Sequence, residues 1–257
     1  VPFKNQTGDP SLDPLGKILA DWTTQGLLQT GLAEVLQPDM VSGAGDNKDA
    51  REIAVAAGVG TIVIGSYYVA RDSIQFQAQI IKADGTLLHA IDLTCTPKTK
   101  VMDGVELVRQ RVLGALMFVV DRRLEDWAGQ ISNPPTYEAY LHYMQGLELF
   151  DSKQEYEASI PHFTKAHALD TTFLLPLIHQ SLAYMNLGLF AQADSLTQFL
   201  GLRRARLSPF QQLVLDDNSS FLAGDLMGAL IAARGEIKLA CSPKWYYNLA
   251  WIALRVN

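Results

Sequence analysis

The chain has 257 residues, of which 48% are hydrophobic and 19% charged, with a formal net charge of −6. That length allows one large or two ordinary domains, and that composition supplies enough apolar surface for packed cores. Charges of both signs are interspersed, which argues against a phosphate-binding face for nucleic acid, and glycines break the one long apolar stretch, 54–70, too early for a membrane span.

Val1-Pro2-Phe3 reads as the tail of a strand, and Gly8-Asp9-Pro10 and Asp13-Pro14 are turn chemistry. A helix follows, with Leu15, Ile18, Leu19, Trp22 and Gly26 on one face and Gly31 as its stop. Glu34-Val35-Leu36 is a candidate short strand, and Pro38 to Asp46 a loop. A second helix spans Lys48 to Ala57, turning Ala50, Ile53, Ala54 and Ala57 inward before Gly58 closes it.

The period then falls to two. Thr61 to Ala70 is β-branched and aromatic, and Ile74, Phe76, Ala78 and Ile80 alternate with Gln75, Gln77 and Gln79. Arg71-Asp72 and Asp84-Gly85 supply two hairpin turns, and Leu87 to Thr94 is the third strand. Such a meander has one apolar and one wet face. A long helix from Val101 to about Trp127 presents Val105, Val108, Val112, Leu116, Val119 and Val120 as a stripe to cover the sheet. The first 132 residues therefore read as an α+β unit, an α/β sandwich with a mixed sheet.

Phe3-Lys4-Asn5-Gln6-Thr7-Gly8-Asp9-Pro10 resembles the opening of the TolB-amino-terminal-like domain. Ala50-Arg51-Glu52-Ile53, Ile64-Gly65-Ser66 and Phe76 to Ile80 are similar to that domain's middle. The resemblance implies an α/β domain followed directly by tetratricopeptide (TPR) repeats. Such pairs occur in CadC-like membrane transcriptional regulators and beyond the membrane helix of some bacterial receptor-type serine/threonine protein kinases. It implies, for this chain, an extracytoplasmic region tied to the membrane only by an anchor elsewhere in its parent. The start without Met and the end inside an apolar helical pattern likewise predict a fragment.

Asn133-Pro134-Pro135-Thr136 is the linker, with Thr136 placed to cap the next helix. Residues 136–257 carry the repeat. Ser159, Phe163 and Ala166 recur 34 residues later as Ala193, Thr197 and Leu200, with turns at Lys153 and Gly188. That period, with small residues where helices touch, is the mark of an all-α TPR superhelix. A third copy spans Phe210 to Glu236, with Gly224 at the turn and Ala229 and Ala233 at the contacts, although Asp216 and Asp217 put its first helix in question. A fourth opens at Lys244 with Tyr246, Leu249, Ala250 and Ala253 in the first-helix pattern, and the array is incomplete at its end.

Chemistry is sparse. Gly43-Ala44-Gly45 and Gly58-Val59-Gly60 lack the third glycine of a dinucleotide loop. His162 and His167 fall on different faces of one helix, so no metal site is expected, and Cys95 and Cys241 read as unpaired, partly buried thiols, with a disulfide between them as the alternative. Asp216-Asp217 and Glu125-Asp126 read as solvated helix ends, and Arg203, Arg204 and Arg206 as a solvated turn. No catalytic constellation, cofactor or metal is expected. A surface remains: the first helices would line a groove for a protein or peptide with Tyr143, Leu147, Ile178, Leu182, Asn186, Tyr247 and Trp251, several of which have packing between repeats as their alternative role. The sequence thus predicts a non-catalytic interaction and sensing region of a membrane-anchored signalling protein, with a small-molecule sensor, its ligand between the domains, as the alternative.

Overall fold

The computed structural model describes residues 1–31, 34–36, 50–124, 127 and 134–256. They form two compact units, Val1–Asp121 and Arg122–Asn257.

The first unit holds a mixed sheet of order β1-β2-β3-β4, from β1 (Lys4–Asn5), β2 (Thr61–Ala70), β3 (Ser73–Lys82) and β4 (Leu87–Pro97). β1 runs parallel to β2, and the other pairs are antiparallel hairpins. Arg71 adopts φ 55° and Gly85 φ 90°, the left-handed angles that two tight turns demand. Helices α1 (Pro14–Thr30), α2 (Ala50–Ala57) and α3 (Val101–Val120) complete the unit. α3 packs on β3, β4 and α1. Val105, Val108, Val112 and Leu116 are buried with Ile74, Phe76 and Ile80, a layer of α3 on the sheet.

Several expectations are corrected here. Glu34-Val35-Leu36 forms no strand. α1 turns Leu15, Leu19, Thr23 and Gly26 inward and leaves Trp22 at the surface, because Gly26 is where the helix meets Leu113 of α3. α3 stops at Val120, where Asp121 goes extended, so Val119 and Val120 are exposed rather than part of the stripe. β4 continues to Pro97, three residues past Thr94. On α2, Ala54 is buried but Ala57 is exposed. The side chains of Ala50 and Ile53, the 38–46 loop, Gly43-Ala44-Gly45, Lys48, Glu125-Asp126 and Asn133 lie outside the described residues.

The opening motif is a hydrogen-bonded loop. Asn5 Oδ1 accepts from Thr7 N (2.9 Å) and Thr7 Oγ1 (2.6 Å), while Asn5 Nδ2 donates to Asp9 O (2.9 Å) and Asp13 Oδ1 (2.6 Å). Tyr67 donates its hydroxyl to Leu12 O at 2.8 Å, fastening the loop to the sheet. Phe3 then fits between two glycines. A Cβ on Gly16 would lie 2.1 Å from Phe3 O, and one on Gly65 would lie 2.3 Å from the Phe3 ring.

The second unit is an all-α array, whose helices pair as antiparallel hairpins. α4 (Tyr137–Leu147) pairs with α5 (Tyr156–Leu169), α6 (Leu175–Asn186) with α7 (Phe190–Gly201), and α8 (Pro209–Leu222) with α9 (Leu226–Leu239), before α10 (Pro243–Val256). The residues expected at the contacts are there: Ser159, Phe163, Ala166, Ala193, Thr197, Leu200, Ala229 and Ala233 are all buried. Gly146 of α4 lets the Phe163 ring approach, since a Cβ there would sit 2.7 Å from it. In the next hairpin Ser181 Oγ donates to Ala193 O at 3.2 Å and lies 3.1 Å from Thr197 Oγ1.

Gly188 and Gly224 take φ 73° and 76° at their turns. The first turn differs: a π-helical segment, Glu148–Lys153, extends α4, so the left-handed residue is Gln154 rather than Lys153. Thr136 does not cap α4 with its side chain; its N–H donates instead to Asp170 Oδ2 at 3.0 Å. α8 forms despite Asp216 and Asp217, begun by a capping box of Ser208 and Gln211 with Pro209 at its first position. On α10 the inward residues are Trp245 and Ile252, whereas Tyr246 and Ala250 are exposed.

Gly16→Ala should destabilise the first unit by about 1–3 kcal/mol through overpacking against backbone. Gly60→Ala, where a Cβ meets nothing within 4 Å, should leave it unchanged. Urea unfolding of the two variants checks both.

Candidate binding face of the helical array

Of the seven residues expected on the first-helix face, three lie inside. Tyr143, Leu147 and Ile178 are buried. Leu182 is half-buried, and Asn186 is exposed one turn further along α6, its Nδ2 donating to Leu182 O at 2.9 Å. On α10, Tyr247 is 73% exposed, while Trp251 is half-buried against Phe221, ring centroids 5.5 Å apart. The Arg255 guanidinium lies 3.3 Å over the Trp251 ring. The surface part of the face is therefore two pairs, each on one helix and one turn apart.

What buries the others is an aromatic core. Tyr143 stands 5.4 Å from His179 and 5.2 Å from Phe173, and His179 also meets Phe150 and Phe163 at 5.8 and 5.7 Å. Trp127, expected on the long helix of the first domain, packs in the second unit. Its ring lies 5.0 Å from His179, 5.0 Å from Phe210 and 5.6 Å from Trp245, so it touches α6, α8 and α10 at once. These first-helix residues thus share a side chain from their own chain. No local pattern around residue 127 signals that, since periodicity reports a face and not its partner.

His179 is fully buried, with Nδ1 3.3 Å from both Tyr143 Oη and Leu175 O, and with no partner for Nε2. Burial, aided by the nearby Lys244 charge, lowers its pKa to about 4. It is a neutral core residue at ordinary pH. Lys244 Nζ itself pairs with Asp151 Oδ1 at 2.9 Å, joining the start of α10 to the turn after α4.

The acidic residues divide differently from the expectation. Asp216 pairs with Arg204 through both carboxylate oxygens, and Arg203 stacks over Phe199 at 3.6 Å, so the basic turn is engaged rather than free. Asp217, expected at a solvated helix end, is buried beside buried Glu236, because the α8 face that bears it is the one facing α9 and α10. The available signal was positional. Asp217 and Glu236 stand 36 residues after Ser181 and Leu200, contact residues of the preceding hairpin.

Among the described residues no group of three or more His, Cys, Asp or Glu side chains could hold a metal. His142 and His162 rings lie 6.2 Å apart, and His167 Nδ1 sits 3.0 Å from Phe173 O. Cys95 and Cys241 are both free and both exposed, rather than partly buried.

No protein-family model matches the chain, and no curated protein matches it. Two of the similar solved structures are TPR domains. The first TPR domain of Spaghetti (RPAP3), bound to the HSP90 peptide SRMEEVD, is 19% identical over 46% of this chain and 92% of its own, with a TM-score of 0.35. The Sgt2 TPR domain from Aspergillus fumigatus is 17% identical over 48% of this chain and 81% of its own, with a TM-score of 0.36.

Trp127→Ala should cost the second unit about 3–5 kcal/mol, the range for removing a buried aromatic, read as a lowered midpoint in chemical unfolding. His179 yields a pH prediction. Its folded pKa lies below its unfolded one, so the stability it contributes is complete above about pH 6.5 and is lost as pH falls towards 4. Unfolding curves at pH 7, 5.5 and 4.5 should show the wild type losing stability relative to His179→Gln as pH falls, the comparison cancelling the groups that both proteins share.

Proposed function

We propose that this chain is a non-catalytic protein- or peptide-interaction region, in which the helical array recognises the partner and the α+β unit is a rigid connector. The observation that supports this most is the α10 surface. Tyr247 projects into solvent one turn from Trp251, which packs against Phe221 and carries the Arg255 guanidinium over its ring. Aromatic side chains of this kind are enriched at recognition surfaces, and an anchored ring loses little freedom when a partner lands on it. Leu182 and Asn186 on α6 offer a second, more polar pair.

The finer reading rests on the resemblance of the opening motif and the strand segments to TolB-amino-terminal-like domains. We infer from it an extracytoplasmic part of a bacterial membrane-anchored signalling protein, a serine/threonine kinase or a transcriptional regulator. Among the described residues no helix is long and apolar enough to cross a membrane, so this reading needs an anchor contributed elsewhere in the parent.

Candidate extracytoplasmic peptides should bind the wild type, and Tyr247→Ala should weaken that binding by roughly tenfold or more, the effect of losing an interface anchor. Tyr247 is exposed, so circular dichroism should be unchanged in this variant. Equal affinity of wild type, Tyr247→Ala and the double variant with Trp251→Ala, in a calorimetric titration, would rule the face out.

A further inference from the structure

Where α8, α9 and α10 meet, three polar side chains share one buried site. Asp217 of α8 is 6% exposed and Glu236 of α9 is 0% exposed. Asn248 of α10 offers a single amide nitrogen to both, 2.8 Å from Asp217 Oδ2 and 3.4 Å from Glu236 Oε2. The remaining oxygens, Asp217 Oδ1 and Glu236 Oε1, are buried with no hydrogen-bond partner.

The surrounding charges are engaged elsewhere or exposed to solvent. On α8, Asp216 pairs with Arg204; on α10, Lys244 pairs with Asp151 and Arg255 covers Trp251. On α9, Arg234 and Lys238 are exposed. On α6 and α7, which pack against α8, His179 stands in the aromatic core and Asp194 accepts from Gln198. Among the described residues no Lys or Arg forms an ion pair with either buried carboxyl.

One neutral amide cannot compensate two carboxylates out of water, so the pair must hold a proton to stay buried. A protonated carboxyl is neutral, so holding one proton removes the larger part of the cost of burying the pair. Burial pushes Asp217 up to about 6, and burial together with the Asp217 charge pushes Glu236 up to about 8. The preceding hairpin has Ser181 and Leu200 at the corresponding positions, so this titratable joint is particular to the place where α10 docks.

We propose that Asp217, Glu236 and Asn248 form a proton-retaining latch, which keeps α10 seated on the α8–α9 hairpin while the carboxyl pair holds one proton and frees it when both carboxyls ionise. Release would uncover Ala229, Leu230 and Ala233 of α9, the apolar cluster that Ile252, Leu249 and Val256 of α10 now cover. The latch does not rest on the recognition role of Tyr247 and Trp251, since none of its three side chains belongs to that pair.

The folded state keeps a proton that the unfolded or undocked state loses near the ordinary glutamate pKa. Docking must therefore weaken as pH rises towards 8, with the opening equilibrium growing by about tenfold per pH unit for one retained proton. Between pH 7 and 8 the buried His179 is neutral when docked and mostly neutral when exposed, so it adds little to this slope. Amide hydrogen exchange of the 257-residue chain across that range, corrected for the intrinsic pH dependence of exchange, reads the opening of α10 directly. The wild type should show the tenfold-per-unit slope in α10 and none in α3 of the other unit. Glu236→Gln, which keeps the shape and removes the titration, should abolish the slope. Asp217→Asn, which removes the repelling charge, should move it to lower pH. A wild-type α10 whose opening does not change with pH, a Glu236→Gln slope equal to wild type, or an Asp217→Asn range that does not move would each overturn the latch.

Discussion

Close approach between paired helices is the constraint on which the second unit depends. Gly146 admits the ring of Phe163, and Ser181 comes within hydrogen-bonding distance of a carbonyl on α7. Such contacts tolerate no extra volume, because an interior packed to crystal density has nowhere to move it. Once the hairpins close, the first half of α6 has little surface left, and large rings must stack on one another. Tyr143, Phe150, Phe163 and His179 make that stack, and Trp127 extends it to Phe210 and Trp245.

Polar groups drawn into such an interior change their chemistry. His179 becomes a neutral spacer held by two oxygens, and the Asp217–Glu236 pair a site that resists full ionisation. The two act in opposite directions with pH, one favouring the folded array as protons leave solution and the other as they arrive. Burial is the principal cause of both.

The strands and hairpin helices were legible because their signals are local. Alternating Ile74, Gln75, Phe76, Gln77 is a strand wherever it occurs, and Gly188 and Gly224 mark turns by their backbone freedom alone. Reading failed where the deciding partner lies far along the chain. Val119 and Val120 look like continuations of an apolar stripe, but the helix ends beneath them at Asp121. Tyr143, Leu147 and Ile178 are apolar residues on first helices, and nothing nearby says whether solvent or another aromatic covers them. Asp217 was misplaced for a related reason: a charged side chain is assigned to water unless its partner is known, and Asn248 is 31 residues away.

The ion pair between Lys244 and Asp151 spans 93 residues and joins the beginning of the array to its last described helix. Stacked repeats ordinarily touch only their neighbours, which lets them melt one at a time from either end. Here Trp127 and this pair act as cross-ties that skip intermediate hairpins, closing the ladder upon itself. In a solenoid tied in this way, freeing the last helix also breaks a contact with the first hairpin, so the two ends are coupled rather than independent.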